Sequence, residues 1–470
     1  ILKSSFRMKY NKENFTSKIN LLKEKVNSGE TQKFNWRIEQ LNKIDNLLDK
    51  YKFEIINALN LDLGKSKIEA LAEILLVKEE ISLVKRELRS WMRPKIVNTP
   101  IYLLPLSSKV IFEPIGCVLI LGPYNYPLLY ILKPLVNIFS AGNTAVIKPS
   151  EKCPNTSNLL IKLTDKYFSH DTLIAYEGDY KEAEKLTSEN FDHIFFTGSS
   201  KTGKLIMKIA AKNLTPVTLE LSGTNPVVIL KNTNLEIAAK RIIWGKFFNS
   251  GQSCMAPNHI FIEKTIEEKF IKELKKSIEE FYGKNPIKSE NLSRLEEKQF
   301  FRTLEILKKN KYKKQIICGG NFDKKLLKIS PTLLKINSEK DFLVKNELFS
   351  PLLPLISIDN YQDAFCKIKK NAKPLAIYIF GGNNKIHQIL SQTTSSGSIC
   401  INDVMLPVLV PNLPFGGVGK SGIGKFHGHA GFKNFSNQKS ITRKDYFLDV
   451  NLRYPPYTNI LRILKFFFKI

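Results

Sequence analysis

Short apolar runs alternate with helical stretches through most of this chain, and this alternation limits the folds open to it. Apolar runs separated by helices predict parallel strands that are covered on both faces. The sequence therefore predicts an α/β protein with a mostly parallel, doubly wound sheet, followed by a second series of strands. The runs of the first series are 117–121, 144–147, 172–176, 193–196 and 217–221, and those of the second are 227–230, 260–262, 315–318, 352–358, 375–380 and 398–401.

Three other segments complete the outline. Residues 9–93 have a helical pattern, with the spacing of a capping box at 66–69. Proline-flanked, β-prone runs at 102–106 and 109–113 predict a projecting hairpin or arm. A long charged helix is expected over 289–314.

One cysteine lies on a connection rather than in an apolar run. Gly251 and Pro257 restrict the backbone on either side of Cys254. Taken alone, a cysteine in a loop is more often inert than reactive. Glu220 changes this interpretation, because it stands near the end of an apolar run upstream of the cysteine. A thiol nucleophile and a carboxylate base form a coherent pair for covalent catalysis on a carbonyl group.

Both residues stand in motifs that resemble those of one family. Gly251-Gln-Ser-Cys-Met-Ala-Pro257 resembles the nucleophile motif of the aldehyde dehydrogenase superfamily. The segment 219–223, Leu-Glu-Leu-Ser-Gly, resembles its general-base motif, at the spacing that the family uses. The similarity covers nearly the whole chain and is greatest to the class 3, fatty-aldehyde-type branch. Ser222 and Thr224 depart from the family pattern, which has Gly and Lys there.

The resemblance implies a division of the chain. It predicts a Rossmann-like cofactor domain, an α/β catalytic domain and a β arm for oligomerisation. The expected ranges are 1–96 and 115–221 for the NAD-binding domain, 222–435 for the catalytic domain, 97–114 and 436–450 for the arm, and 451–470 for a C-terminal tail.

The resemblance also implies a reaction, the NAD(P)-dependent oxidation of medium-chain, long-chain or lipid-derived aldehydes to carboxylic acids. Cys254 is expected to attack the aldehyde carbon, giving a thiohemiacetal and then a thioester. Asn125 and the N–H group of Cys254 are expected to bind the oxyanion, and Glu220 to activate the hydrolytic water. The alternative is a CoA-acylating or phosphate-dependent relative on the same fold, although such members typically lack the hydrolytic glutamate.

The cofactor site is predicted from a strand-to-helix junction. The chain lacks the Gly-x-Gly-x-x-Gly fingerprint, so the standard Rossmann phosphate contact is not expected. A helix N-terminus at 196–203 suits a pyrophosphate instead. A carboxylate at position 151 would repel a 2′-phosphate, which favours NAD and leaves NADP as the alternative cofactor. The resemblance assigns the contacts to Gly198, Ser199 and Gly203 at the pyrophosphate, Lys148 and Glu151 at the adenosine ribose, Glu347 at the nicotinamide ribose and Phe349 beside the ring.

Composition excludes several other classes of function. The formal charge is +28, but 61 lysines against 11 arginines, spread along the chain, resemble codon bias more than a nucleic-acid-binding face. The six cysteines form no Cys-x-x-Cys pair, which is typical of a reduced, cytoplasmic protein and gives no zinc spacing. We therefore expect no nucleic-acid partner and no metal. No signal-peptide core is present at the start, and Met8 is a candidate true start.

The expected partners are a small-molecule aldehyde and a second copy of the chain, giving a homodimer. Residues 457–470 predict an amphipathic helix of about 21 Å, too short for the roughly 30 Å hydrocarbon core. Two interpretations of this tail are open: a helix docked in the protein's own core, or an interfacial helix that makes peripheral membrane contact near the substrate entrance. A catalytically silent, membrane-associated structural protein is the rival from another class, and the intact set of site residues argues against it.

Overall fold

A computed structural model describes residues 12–447 and, beyond them, residues 449, 454, 455, 460 and 464–466. The helices are α1 (Lys12–Asn27), α2 (Phe34–Lys50), α3 (Lys52–Leu63), α4 (Lys67–Trp91), α5 (Leu129–Ser140), α6 (Pro154–Tyr167), α7 (Tyr180–Thr187), α8 (Ser200–Ala210), α9 (Leu235–Phe247), α10 (Glu267–Tyr282), α11 (Glu297–Lys308), α12 (Asn310–Lys313), α13 (Phe342–Lys345), α14 (Tyr361–Lys369), α15 (Asn384–Thr393), α16 (Leu406–Leu409) and α17 (Gly428–Asn434). The strands are β1 (Lys95–Val97), β2 (Ser107–Pro114), β3 (Cys117–Leu121), β4 (Thr144–Lys148), β5 (Leu173–Ala175), β6 (His193–Gly198), β7 (Val217–Leu221), β8 (Pro226–Ile229), β9 (His259–Glu263), β10 (Ile316–Cys318), β11 (Phe322–Asp323), β12 (Lys328–Ile329), β13 (Thr332–Lys335), β14 (Leu352–Ile358), β15 (Ala376–Phe380), β16 (Ser398–Ile401), β17 (Gly422–Ile423) and β18 (Ser436–Arg443).

The first series of apolar runs forms one six-stranded sheet with the order β17-β7-β6-β3-β4-β5. Its strands are parallel except β17, which pairs antiparallel with β7. Strand order reverses between β3 and β6, so the loops that follow these two strands diverge and leave a crevice at their carboxyl ends. The predicted doubly wound sheet is confirmed, and its crevice lies beside the polar motifs.

The second series forms a seven-stranded sheet with the order β10-β13-β14-β9-β8-β15-β16. Only the edge strand β10 is antiparallel to its neighbour. Its central strands are buried and apolar on both faces, as parallel strands under two helical layers must be. The chain passes from the first sheet to the second between β7 and β8, and returns to the first sheet at β17.

The N-terminal helices pack on the first sheet, and their caps follow the predicted pattern. At the start of α4, the Ser66 hydroxyl accepts a hydrogen bond from the Glu69 N–H (3.3 Å) and the Glu69 carboxylate accepts one from the Ser66 N–H (3.1 Å). This capping box begins the helix where the sequence predicts it. Buried Ile74, Ile81 and Leu88 then turn one face of α4 towards the core.

The arm is a three-stranded antiparallel sheet, β1-β2-β18, and one of its predicted strands is wrong. The run 102–106 is not a strand, because 101–103 is a 3-10 turn and β1 lies earlier, at 95–97. Pro100 and Pro105 explain the error, since neither has an N–H group to give to a ladder. Strand β18 returns from the far end of the chain to pair with β2 along eight residues.

The expected long helix over 289–314 is also wrong, because α11 begins only at Glu297. The residues before it are used for tertiary hydrogen bonds. The Ser293 hydroxyl donates to Glu69 (2.5 Å), and the Glu296 N–H donates to the Gln252 side chain (2.9 Å). These contacts fix an irregular segment beside the Cys254 loop, which a helical pattern in the sequence does not reveal.

The helix expected over 457–470 falls mostly on residues outside those that the structure describes. Within the described part of the chain, no helix combines the length and the apolar character needed to cross a membrane.

Candidate active site

Cys254 lies on the loop between α9 and β9, and hydrogen bonds hold that loop on both sides of the sulfur. Residues 249–251 all adopt left-handed backbone conformations, with φ of 50°, 52° and 77°. The Asn225 amide donates to the Cys254 carbonyl (2.7 Å), and the Tyr378 hydroxyl donates to the Met255 carbonyl (2.6 Å). The direction of the half-buried thiol is therefore set by groups that do not take part in chemistry themselves.

Asn125 follows β3 and is bonded directly to the cysteine loop. Its side-chain amide donates to the Gln252 carbonyl (3.1 Å), which uses one of its two N–H hydrogens. Its own carbonyl accepts hydrogen bonds from Lys65 (2.8 Å) and from the Asn249 amide (2.9 Å). Among the described residues, the second amide hydrogen of Asn125 has no hydrogen-bond acceptor.

Glu220 lies on β7 as a buried carboxyl group. Neither of its oxygens has a hydrogen-bond partner among the described residues. Burial raises the pKa of Glu220 well above its usual range, and the nearby Lys425 ammonium partly opposes that rise. A Cβ atom at Gly416 would lie 2.7 Å from one carboxylate oxygen, so the glycine there leaves the space that the carboxyl group occupies. A carboxyl group with a raised affinity for a proton suits a general base.

The electrostatic surroundings of the thiol oppose its ionisation. Burial raises the pKa of Cys254 to about 12, and the carboxylates of Glu220 and Glu347 act in the same direction. The Tyr130 hydroxyl, 3.2 Å from the sulfur, acts in the opposite direction. The nucleophile therefore depends on hydrogen-bond donors and on the bound ligands to become a thiolate.

One cavity of about 540 Å³ connects these groups with the predicted cofactor residues. That volume is typical of a small-molecule or cofactor site. The predicted site residues that line it are Asn125, Lys148, Glu151, Gly198, Ser199, Glu220, Cys254, Glu347 and Phe349.

Gly203 is the predicted site residue that does not line the cavity, and the structure gives it a packing contact, while its expected cofactor contact stays a prediction. It lies inside α8 and is buried against β7. A Cβ atom at this position would come within 2.6 Å of a Leu221 methyl group. Glycine is needed here because the helix approaches the sheet closely, which brings the start of α8 to the rim of the cavity.

The N-terminus of α8 faces the cavity with the features of an anion site. Ser199 caps the helix by accepting a hydrogen bond from the Thr202 N–H (3.1 Å), and Gly198 precedes it. The Thr197 hydroxyl is buried at the same edge without a hydrogen-bond partner among the described residues. Open amide groups and a helix dipole at this edge suit a pyrophosphate.

Two pairs of residues flank this anion site. Lys148 ends β4, and its ammonium group lies 2.8 Å from the Glu151 carboxylate. On the other side, the Glu347 carboxylate accepts a hydrogen bond from the Gly223 N–H (3.2 Å), and burial raises its pKa to about 7. Phe349 adopts a left-handed backbone conformation (φ 51°) and packs its ring against Tyr124, 6.1 Å between centroids. The lining of the cavity thus combines charged and aromatic side chains.

Comparison with known proteins gives the family of this chain. The family model described as "Aldehyde dehydrogenase family" matches residues 9–441. The chain belongs to the aldehyde dehydrogenase family.

The family members most useful for comparison span nearly the whole chain. Aldehyde dehydrogenase family 3 member I1, chloroplastic, of Arabidopsis thaliana is 41% identical, covering 93% of this chain and 80% of that protein. A 4,4'-diaponeurosporen-aldehyde dehydrogenase of Staphylococcus aureus is 37% identical over 94% of this chain and 96% of its own length. A solved structure, the substrate-bound state of Staphylococcus aureus AldH, superposes with a TM-score of 0.93 at 36% identity and covers 98% of this chain and 100% of its own. This protein is accordingly an NAD(P)-dependent aldehyde dehydrogenase, an oxidoreductase.

Several residues of this aldehyde dehydrogenase's site were not found from the sequence. Asn225 and Tyr378 hold the cysteine loop, Lys425 faces Glu220, and Tyr130 contacts the sulfur. In the sequence these four residues look like ordinary core or surface residues. Only the fold shows that they lie together around Cys254 and Glu220. Among the residues that the structure describes, no three His, Cys, Asp or Glu side chains come together as metal ligands.

Proposed function

We propose that Cys254, Glu220 and Asn125 carry out the oxidation of an aldehyde to a carboxylic acid in this protein. The observation that supports this most directly is their convergence on one cavity, together with the open N-terminus of α8. The thiol, the base and the amide donor are the three groups that a thioester route requires.

The residues around the cavity fit a nicotinamide dinucleotide. Gly198, Ser199 and Gly203 at the start of α8 are proposed to bind its pyrophosphate. Lys148 and Glu151 are proposed to bind the adenosine ribose, and Glu347 the nicotinamide ribose beside Phe349. The Thr197 hydroxyl, which has no hydrogen-bond partner among the described residues, and the capped but open start of α8 support this placement. The Glu151 carboxylate favours NAD over NADP by repelling a 2′-phosphate.

In the proposed mechanism the Cys254 thiol releases its proton to solvent, and the thiolate sulfur attacks the aldehyde carbon and forms a carbon–sulfur bond. The electron pair of the carbonyl moves to its oxygen, which the free amide hydrogen of Asn125 and the Cys254 N–H stabilise. A nicotinamide dinucleotide held by Ser199 and Glu347 would supply the hydride acceptor for this carbon. Glu220 then takes a proton from the water that attacks the resulting thioester, and the carbon–sulfur bond breaks with its electron pair returning to Cys254. Because Glu220 supplies this base, the product is the free acid rather than an acyl-CoA or acyl phosphate.

Replacement of the nucleophile tests this assignment. Cys254→Ala should lower aldehyde-dependent NADH formation by at least about 10³-fold, while NAD binding, measured by calorimetry, persists. Cys366→Ala is the matched control, because Cys366 is exposed on α14, away from the cavity. Turnover near the unmodified rate in Cys254→Ala would contradict the proposal.

A medium-chain, long-chain or lipid-derived aldehyde is the substrate class that we propose. Met405 contacts the cysteine loop, since the Ser253 hydroxyl lies 4.0 Å from its sulfur. The apolar side chains Leu406, Val410 and Leu413, which follow in the sequence, are 40%, 42% and 47% exposed, so the surface of this segment is partly apolar. The relative named for 4,4'-diaponeurosporen-aldehyde agrees with such a surface. A panel of straight-chain aldehydes should show kcat/KM rising with chain length, and a preference for the shortest would contradict this class.

We further propose the division into domains given by residues 1–96 with 115–221, 222–435, and 97–114 with 436–450, and a homodimer formed through the arm. Dog and rat relatives named "Aldehyde dehydrogenase, dimeric NADP-preferring" support the dimer.

The proposed location is the cytoplasm, with peripheral membrane contact through residues 451–470. Deletion of residues 458–470 should reduce sedimentation with anionic liposomes and shift the preferred aldehyde length. Unchanged binding and an unchanged chain-length profile would assign the tail to structure alone.

A further inference from the structure

Tyr130 contacts the reactive sulfur, and the reaction proposed above does not use it. It lies in the first turn of α5, five residues beyond Asn125. Its side chain is 2% exposed, and its hydroxyl lies 3.2 Å from the Cys254 sulfur. A phenol in this position can donate a hydrogen bond to the atom that forms and breaks the bond to substrate.

The ring of Tyr130 is held by the start of its own helix. The Glu73 carboxylate accepts hydrogen bonds from the N–H groups of Leu128 (3.1 Å) and Leu129 (3.0 Å), and Lys65 pairs with the same carboxylate. The edge of the Tyr126 ring packs against the Tyr130 ring, 5.9 Å between centroids. The Tyr130 hydroxyl is therefore held in position by buried side chains that are themselves hydrogen-bonded or packed.

The direction of the hydrogen bond follows from the two protonation states. Burial raises the pKa of Tyr130 well above its usual value, so the phenol keeps its proton at neutral pH. A thiolate has no hydrogen to give, and it can only accept. When Cys254 ionises, Tyr130 must therefore be the donor, and a hydrogen bond to the charged form favours that form.

The surroundings make this donor important. Burial, Glu220 and Glu347 all oppose a negative charge on the sulfur, and Tyr130 counteracts them. Reactive cysteines commonly gain this help from a neighbouring cation. Here a neutral phenol stands in direct contact with the sulfur instead.

We infer that Tyr130 is a further catalytic residue, whose hydroxyl donates a hydrogen bond to the Cys254 thiolate before attack and again when the acyl group leaves. This inference rests on the proposed role of Cys254 as nucleophile. In the second event the carbon–sulfur bond of the thioester adduct breaks and its electron pair passes to sulfur. The water proton goes to Glu220, and Tyr130 keeps its own proton throughout.

The test measures the thiol rather than turnover. The rate at which iodoacetamide alkylates Cys254 in the full-length protein is followed against pH by mass spectrometry, without cofactor. Tyr130→Phe removes only the hydroxyl, and it should move the profile to higher pH, lowering the rate near neutral pH by about 10-fold or more. The plateau rate at high pH should stay the same, because the accessibility of the sulfur is unchanged.

Tyr126→Phe is the matched control. Tyr126 is a buried tyrosine four residues earlier; its hydroxyl forms a hydrogen bond with Ser253 and is close enough to Cys254 for an electrostatic interaction, whereas the hydrogen bond to the sulfur comes from Tyr130. Its alkylation profile should follow that of the unmodified protein. If Tyr130→Phe fails to fold, Tyr130→Leu should show the same shift towards higher pH.

Two results would overturn the inference: a Tyr130→Phe profile identical to that of the unmodified protein, or an equal shift in Tyr126→Phe. Neither depends on turnover. Failure of the proposed function, seen as activity in Cys254→Ala, is therefore distinguishable from failure of the role assigned to Tyr130.

Discussion

Glu220 shows at the scale of one residue how a site can require a group that folding disfavours. Its carboxyl group is buried, and neither oxygen has a hydrogen-bond partner among the described residues. Burial raises its pKa well above its usual value. A buried polar group without a partner costs about 1–3 kcal/mol, and a charged one costs more. Such a cost is expected where a base must keep its affinity for a proton.

Glu220→Gln should separate the two halves of the reaction. Acylation does not use the carboxylate, so a burst of NADH should remain, while hydrolysis of the thioester should slow by about 10²-fold or more. Stopped-flow measurement of burst and steady state gives both rates. A steady-state rate equal to that of the unmodified protein would show that another base activates the water.

The same variant carries a prediction for stability against pH. Because the pKa of Glu220 is raised in the folded protein, folding takes up a proton there, and stability falls as pH rises above the ordinary pKa of 4.5. Glu220→Gln removes this loss of stability at high pH, because glutamine does not ionise. The free energy of unfolding should rise by about 1–3 kcal/mol at about pH 8 and change little at about pH 4, measured by denaturant titration. Glu305→Gln, on an exposed part of α11, should show no such pH dependence.

Glu151 makes a prediction about the choice of cofactor. Its carboxylate pairs with Lys148, so Glu151→Gln removes a negative charge and frees the ammonium group for a 2′-phosphate. The ratio of kcat/KM for NADP to that for NAD should rise about fivefold, the effect of about 1 kcal/mol between charges in water. Glu305→Gln again controls for net charge. An unchanged ratio would place Glu151 away from the ribose.

At the scale of elements, the cysteine loop depends on a backbone that most residues avoid. Gly251 has φ +77°, and a Cβ atom there would lie 2.4 Å from the Ser350 carbonyl oxygen. Gly29 has nearly the same backbone angle, φ +76°, with no atom within 4 Å of the Cβ position. Comparing alanine substitutions at these two glycines therefore separates the cost of backbone strain from the cost of steric contact.

Gly251→Ala should therefore destabilise the protein more than Gly29→Ala. Both substitutions bear about 1–2 kcal/mol for the left-handed backbone, and Gly251→Ala adds about 1–3 kcal/mol for the clash. Thermal unfolding measures the difference. Alkylation of Cys254 should also slow in Gly251→Ala alone, and equal effects of the two variants would contradict the role given to Ser350.

The elements differ in how far the sequence predicts them. The apolar run 117–121 coincides with β3, because a strand buried on both faces leaves an unbroken hydrophobic signal. The segments 102–106 and 289–314 were predicted wrongly, because prolines and tertiary hydrogen bonds override local propensity there. The site residues also divide into those with a local sequence signal and those defined by tertiary contacts. Residues within motifs were predicted, whereas Tyr130, which joins the sulfur across the fold, has no local signal.

At the scale of the whole molecule, the arm leaves apolar side chains in solvent. Ile96 on β1 is 84% exposed, and Ile101 in the following 3-10 turn is 81% exposed. Strand β1 is also an edge strand, with no partner strand on its outer side among the described residues. Exposed apolar groups beside an open edge are typical of an interface with another chain.

The dimer should therefore depend on this surface. Fully burying an isoleucine is worth about 1.5–3 kcal/mol, so the double substitution Ile96→Lys and Ile101→Lys should weaken the dimer by about 100-fold or more. Sedimentation velocity over a range of concentrations measures the change. Ile68→Lys is the control, because Ile68 is 71% exposed on α4, outside the arm. Dissociation caused by Ile68→Lys, with the double variant still dimeric, would place the interface on the helical face instead of the arm.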